Sequence, residues 1–181
     1  MIHLITGGSG SGKSAYAEDW LKQRKKEGPL LYVATMQPFG QEALKRIERH
    51  HRLRQGKGFE TLEQYTDLEQ VRISFQQGIL LECMSNLVAN EFFGADGSMG
   101  DARKIQEKIL RGIGHLAHCT EDLVIVTNEV TSDLQPYSRE TKEYQKLLSQ
   151  INQELARMAD MVTEVVYGIP VEVKQSEKVM E

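Results

Sequence analysis

Gly7-Gly8-Ser9-Gly10-Ser11-Gly12-Lys13-Ser14 follows directly on the apolar run Ile2-His3-Leu4-Ile5-Thr6 and precedes Ala15-Tyr16-Ala17-Glu18-Asp19-Trp20-Leu21-Lys22, a stretch rich in helix formers. The eight residues match G-x-x-x-x-G-K-[ST], the phosphate-binding loop. Its glycines let backbone N–H groups close around an anion, Lys13 supplies a point charge for the outer phosphates, and the Ser14 hydroxyl can ligate Mg²⁺. A helix N-terminus at Lys13 adds partial positive charge at the same place. A tight turn without a ligand would need neither the Lys-Ser pair nor this strand-to-helix setting. The stretch therefore predicts a strand, a nucleoside triphosphate site and a helix in succession.

Outward from the loop, strand and helix patterns alternate, which argues for a parallel sheet covered on both faces. Leu30 to Thr35 reads as a second strand and residues 41 to 54 as a charged helix. Phe59-Glu60-Thr61-Leu62 is a possible short strand after Gly56-Lys57-Gly58, Asp67 to Phe75 looks helical, and Gly78 to Cys83 is a buried strand ending in an acid. A helix from about Asn86 to Phe93 leads to the Gly94 to Gly100 loop, expected to be the most flexible internal stretch. Helices follow at about Asp101 to Ala117 and Ser138 to Met158, with a strand at Asp122 to Thr127 between them. Val162 to Val173, broken at Gly168-Ile169-Pro170, predicts a terminal β-ribbon. The expected class is α/β, P-loop NTPase-like: a mostly parallel sheet flanked by helices, with a C-terminal β-ribbon. Residues 1–174 are expected to form a single nucleotide-binding catalytic domain, and 175–181 a polar, frayed tail.

The 181 residues carry a formal charge of -4, which gives no global basic surface for nucleic acid. No apolar run reaches the length of a membrane span and no charged, apolar leader precedes the first strand, so a cytoplasmic chain is expected. Cys83 and Cys119 lack metal-site or redox-motif spacing and read as reduced core residues.

In an open α/β sheet, ligands collect at the carboxyl ends of the strands. The polar residues placed there are Thr6 and the loop, Thr35, Glu82 and Thr127-Asn128-Glu129. Glu82 follows Ile79-Leu80-Leu81, where a P-loop protein keeps an acid for Mg²⁺, held directly or through water. Asn128 and Glu129 suit a metal, a nucleotide, a second substrate or simply the start of a loop.

On the helix from Gln41 to Arg54, at 100° per residue, Leu44, Ile47 and His51 share one face, while His50 lies beside Arg46 and Arg54. His51 is expected to pack toward the core and His50 to sit in a cationic stripe. Neighbouring guanidinium groups disfavour an imidazolium, keep the ring nucleophilic and can hold a polyphosphate. A solvated basic helix with two incidental histidines is the plainer alternative.

Taken together, several segments resemble the bifunctional adenosylcobinamide kinase and adenosylcobinamide-phosphate guanylyltransferase family of cobalamin biosynthesis. They are the loop with its strand, Tyr32-Val33-Ala34-Thr35, Arg46-Ile47-Glu48-Arg49-His50 with Arg54, and Leu80-Leu81-Glu82-Cys83. Val126-Thr127-Asn128-Glu129-Val130, Asn152-Gln153-Glu154-Leu155-Ala156 with Ala159-Asp160, and Val166-Tyr167-Gly168-Ile169-Pro170 complete the set. The resemblance implies a two-step enzyme. A nucleoside triphosphate, ATP or GTP, phosphorylates the aminopropanol hydroxyl of adenosylcobinamide; GTP then transfers GMP to that phosphate through a histidine bearing GMP, with release of pyrophosphate. It assigns the histidine to His50 and nucleotide contacts to Gly7, Gly8, Ser9, Gly10, Ser11, Gly12, Lys13 and Ser14, to Thr35, Met36 and Gln37, to Arg54, and to Glu63 and Glu82. Lys13 would act on the phosphates, and Ser14 and Glu82 would hold Mg²⁺. It also implies a homo-oligomer, a trimer in the family, working on small-molecule substrates.

The chain departs from the family pattern in two places. Thr131-Ser132-Asp133-Leu134-Gln135-Pro136 replaces a glycine-containing turn, and Tyr144-Gln145-Lys146 stands where an Arg-Asp pair is usual. Both lie near the expected corrinoid site, so the kinase half is the less constrained expectation. Alignment backward from Phe59 would select His51 instead of His50. The other readings to separate are a small-molecule P-loop kinase without a covalent histidine and a nucleotide-binding protein without turnover.

Overall fold

A computed structural model describes residues 1–24, 28–54, 56–94, 96–129 and 137–175; within 40–54 the side chains of Ala43, Arg46, His50, His51, Leu53 and Arg54 lie outside that description. The strands are β1 (Ile2–Thr6), β2 (Leu30–Ala34), β3 (Phe59–Glu63), β4 (Gln76–Glu82), β5 (Thr120–Val126), β6 (Met161–Val166) and β7 (Ile169–Gln175). The helices are α1 (Lys13–Arg24), α2 (Gly40–Arg54), α3 (Met84–Phe92), α4 (Ala102–His118) and α5 (Arg139–Met158). The strands join in one sheet in the order β3-β2-β4-β5-β1-β6-β7. The pairs from β3 through to β6 are parallel, and β7 runs antiparallel to β6. The C-terminal ribbon is therefore real, and it is also the rim of the main sheet, because β6 pairs with β1.

Strands buried on both faces read as nearly continuous apolar runs, and consecutive residues serve opposite cores. Leu31, Val33, Ile79, Leu81, Leu123 and Ile125 face a large cluster built with α3, α4 and α5. Leu30, Tyr32, Leu80, Val124 and Val126 face a smaller one, where Ala17 and Leu21 of α1 are the buried helical residues. Gly78 allows α1 to lie close: a Cβ there would stand 2.7 Å from Leu21 Cδ1. Helix ends follow local chemistry. Asp101 caps α4 by accepting from Lys104 N at 3.0 Å, and Ser138 caps α5 by accepting from Thr141 N at 3.3 Å.

Two sequence expectations give way. Asp67 to Phe75 is no helix: only Leu68–Gln70 forms a short 3₁₀ turn, entered through Asp67 at φ 55. Tertiary packing overrides the local pattern, since Leu68 and Val71 are buried against α4 and the Val71 carbonyl meets His115 Nε2 at 2.7 Å. The Gly94 to Gly100 loop, expected to be loose, is stapled: Gly94 N donates to Ser98 O at 2.8 Å, Asp96 Oδ1 accepts from the Ser98 hydroxyl at 2.6 Å, and Phe93 bridges to Met99.

α2 forms where the charged periodicity places it, yet none of its described side chains is buried, and Leu44 is 52% exposed. Four apolar residues in fifteen make a stripe too narrow to compete for the sheet face. The expected inward packing of His51 falls outside the described residues, as do the turn at 131–136 and the tail from 176. Among the described residues, no helix is long and apolar enough to cross a membrane.

Candidate active site

The parallel register brings the carboxyl ends of β1 to β6 to one edge, where nearly all the polar residues singled out from the sequence gather. The loop leaves β1 at Thr6 and enters α1 at Lys13. Gly7, Gly10 and Gly12 adopt positive φ values of 150°, 73° and 93°, which side chains resist. Gly7 is doubly constrained, because a Cβ there would stand 2.5 Å from the Val165 carbonyl oxygen. Gly8, Ser9 and Gly10 are exposed at the rim, as a loop that takes up a ligand from solvent requires.

Lys13 is buried and its ammonium donates to Gly8 O at 2.9 Å, arching across the loop. Burial lowers its pKa from the ordinary lysine value, and the neighbouring Cys83 and Glu82 partly offset that. An anion in the loop would restore the lost solvation. The Ser14 hydroxyl donates to Glu82 Oε1, while Glu82 Oε2 is buried with no hydrogen-bond partner among the described residues. An orphaned carboxylate oxygen beside a hydroxyl is a hard-oxygen donor set, and Mg²⁺ binds through one or two carboxylates, waters and substrate phosphates. The pair therefore fits the ion expected there. Among the described residues no group of three or more His, Cys, Asp or Glu forms a metal cage.

From Glu82 a chain of hydrogen bonds runs along the carboxyl edge to the far strands. Thr35 N donates to Glu82 O at 3.0 Å, and the Thr35 hydroxyl donates to Cys83 O and accepts from Cys83 N, both at 2.8 Å. Asn90 Nδ2 of α3 donates to Thr35 O at 2.8 Å and to Tyr65 O at 2.9 Å, and the Tyr65 hydroxyl donates to Glu63 Oε2 at 2.7 Å. Glu63 ends β3 and is exposed; Met36 and Gln37, half-buried, begin the turn from β2 into α2. At about 4.8 Å per strand, β3 lies roughly 19 Å from β1, so the loop and Glu63 stand four strands apart on one edge. The helix bearing His50, Arg49 and Arg54 departs from the β2 end. Asn90 is the linking residue that sequence reasoning missed, and a lone Asn inside a helix carries no signal for it.

A second network backs the loop. The Thr127 hydroxyl donates to Asn152 Oδ1 at 2.8 Å, Asn152 Nδ2 donates to Asn128 O at 3.4 Å, and Asn128 Nδ2 donates to Ser85 Oγ at 2.7 Å. Ser85 O accepts from the Tyr144 hydroxyl at 2.9 Å, and burial pushes the Tyr144 pKa up to about 12. Tyr144, in one of the two segments that depart from the family pattern, is thus a hydrogen-bond donor to this network. Glu129 N approaches Gly7 O at 3.5 Å, so this network meets the loop. A cleft of about 250 Å³ opens beside it, with Thr6, Thr127, Glu129 and Gln153 among its walls.

Residues 3–173 match the model of the family described as cobinamide kinase / cobinamide phosphate guanyltransferase. The chain is 33% identical to the bifunctional adenosylcobalamin biosynthesis protein CobU of Escherichia coli K12, covering 96% of this chain and 100% of that one. It is 28% identical to the bifunctional adenosylcobalamin biosynthesis protein CobP of Pseudomonas aeruginosa, covering 96% and 98%. Among solved structures it is similar to the flagellar accessory protein FlaH of Methanocaldococcus jannaschii, with TM-score 0.52 and 14% identity over 97% of this chain and 78% of that one, a likeness of fold alone. The chain belongs to the cobinamide kinase / cobinamide phosphate guanyltransferase family, and so to the kinases and nucleotidyltransferases of cobalamin biosynthesis.

Proposed function

We propose that this member of the family carries out both reactions on one edge of its sheet, the second of them through a GMP-histidine at His50. In the first, the aminopropanol hydroxyl of adenosylcobinamide attacks the γ-phosphorus of ATP or GTP, loses its proton, and the bond to the departing nucleoside diphosphate breaks. In the second, a ring nitrogen of His50 attacks the α-phosphorus of GTP and pyrophosphate leaves. An oxygen of adenosylcobinamide phosphate then attacks the same phosphorus, the P–N bond breaks, and adenosylcobinamide-GDP forms. Nitrogen is a good leaving group once the ring is reprotonated, so that neutral imidazole departs, and the stored intermediate divides one difficult displacement into two easier ones.

Lys13 and the loop N–H groups would hold the phosphates and offset the charge that develops on them. Ser14 and Glu82 would hold Mg²⁺, which neutralises phosphate charge when bound. Thr35, Met36, Gln37, Arg54 and Glu63 would receive the nucleoside at the β2–β3 end. Arg46 and Arg54, four positions either side of His50 along the helix, would keep its ring neutral before attack. We place the enzyme in the cytoplasm as a homo-oligomer, a trimer as in the family, acting on small molecules and not on nucleic acid.

The observation that carries this reading is the buried Lys13 arching over the loop beside the Ser14–Glu82 pair, on the same edge from which the histidine helix departs. The test is intact-protein mass spectrometry after GTP and Mg²⁺, on wild type, His50→Ala and His51→Ala. A GMP adduct is expected in wild type and His51→Ala only. An adduct that survives His50→Ala and vanishes in His51→Ala would overturn the assignment, and none in wild type would favour a kinase without a covalent step.

A further inference from the structure

The helix that carries His50 takes little of its position from the core, because none of its described side chains is buried. Its ends must fix it. The sheet order sends the chain from β1 to β2 and from β2 to β3 in the same direction, so right-handed crossovers lay α1 and α2 on one face. The N-terminal end of α2 follows from β2, where the buried Thr35 hydroxyl is bonded to both the N–H and the carbonyl of Cys83. The C-terminal end runs into Gly56-Lys57-Gly58, whose two glycines have positive φ, 79° and 82°. Such a turn has little backbone stiffness of its own.

Lys57, between the glycines, reaches back to α1. Its ammonium donates to Glu18 Oε2 at 2.5 Å and lies 3.8 Å from Asp19 Oδ1. Asp19 is exposed, but Glu18 is only 3% exposed, and a carboxylate so far withdrawn from water is costly to leave without the cation set against it. Glu18 stands one helical turn beyond Ser14 on the same side of α1, and the fully buried Ala17 and Leu21 lock that helix to the sheet. One rigid helix thus offers its first turn to the phosphate loop and its second to the end of α2. On the far side of the turn Phe59 packs against the same core cluster, its ring 6.4 Å from that of Tyr32.

We infer that Lys57 is a positioning residue for GMP transfer: its ion pair with Glu18 holds the end of the histidine helix at a set place relative to the phosphate loop. Lys57 makes no contact with substrate in this role. A ring nitrogen that must meet the α-phosphorus in line tolerates little error, since a displacement of about 1 Å can cost on the order of 100-fold in rate. The inference rests on the His50 part of the proposed function.

The test compares two rates on the full-length protein with Mg²⁺: appearance of the GMP adduct at saturating GTP, by quenched-flow intact-protein mass spectrometry, and phosphorylation of adenosylcobinamide at saturating ATP, by product mass. Lys57→Met should slow adduct formation about tenfold or more and leave phosphorylation within about twofold, whereas Lys57→Arg should keep most of the adduct rate. The double variant Glu18→Gln with Lys57→Met leaves no buried charge unpaired, so it should fold, and it should be as slow as Lys57→Met. A wild-type adduct rate in the double variant overturns the inference, because the loss in Lys57→Met would then come from a stray buried charge. An equal fall in phosphorylation also overturns it, by making the pair a support of the loop itself. No adduct in wild type would overturn the inference together with the His50 reading, which an adduct of unchanged rate in the variants would leave standing.

Discussion

The two helices that flank the candidate site, α1 and α2, differ in what holds them. α1 emerges from the phosphate loop, buries Ala17 and Leu21 completely, and carries Lys13 and Ser14 into hydrogen bonds with the loop and with β4. α2 keeps its described side chains exposed or half-buried, with the exposed Glu48–Arg52 ion pair at 2.8 Å as a surface contact. One half of the site is built by the core, and the other projects from it. A phosphate cradle must be rigid to favour charge at fixed positions, whereas a group that accepts GMP and then delivers it gains from an element not committed to the core.

The largest expected effect breaks this pairing by activity. Lys13→Ala should lower both phosphorylation and GMP transfer by 100-fold or more, a magnitude usual for one preorganised charge-stabilising donor. His50→Ala should abolish GMP transfer and leave phosphorylation of adenosylcobinamide near wild type, followed by product mass. If His50→Ala removed both activities, the two halves would not be separable.

Stability gives the next contrast. Leu21→Ala empties a fully buried position and should cost about 3 kcal/mol in denaturant unfolding. Leu44→Ala, at a residue 52% exposed, should cost less than about 0.5 kcal/mol in the isolated chain. A cost near that of Leu21 would mean that something covers α2 in solution, such as a second copy.

Acid should act on the α1 side. His3 is fully buried under Trp20, 4.5 Å between ring centroids, and its Nε2 meets Thr163 Oγ1 at 2.8 Å. Burial lowers its pKa to about 4, helped by Arg24 and opposed by Asp122. The unfolded ring, near 6.5, binds the proton first, so this contribution is complete above about pH 6.5 and is lost as pH falls toward 4. From pH 7 to 5 the loss from this group should be about 2 kcal/mol in urea unfolding, and His3→Gln should flatten that slope. An unchanged slope in the variant would show that other groups set the acid response.

Much of the edge was legible in the chain because its signals are local. A glycine run before Lys-Ser, an acid closing an apolar strand, and Thr127-Asn128-Glu129 after another each declare a strand end. The helical wheel singled out His50, and the resemblance added its role as GMP acceptor and the β2–β3 contacts, which the fold alone does not assign. The false helix at 67–75 shows the limit: its pattern suited a helix, yet burial of Leu68 and Val71 against α4 decided its shape.

By itself, then, the sequence determined the strand–loop–helix unit, the alternation that makes a parallel sheet and the chemistry offered at each strand end. These depend on neighbours a few residues apart. Tertiary structure alone decided which ends meet. It set β5 between β1 and β4, joined Ser14 to Glu82, threaded Thr35, Asn90, Tyr65 and Glu63 into one line, and laid the Tyr167-Gly168 turn on the loop. Those pairings arise from strand order and from burial on two sheet faces, which link residues far apart in the chain and leave no local periodicity to read.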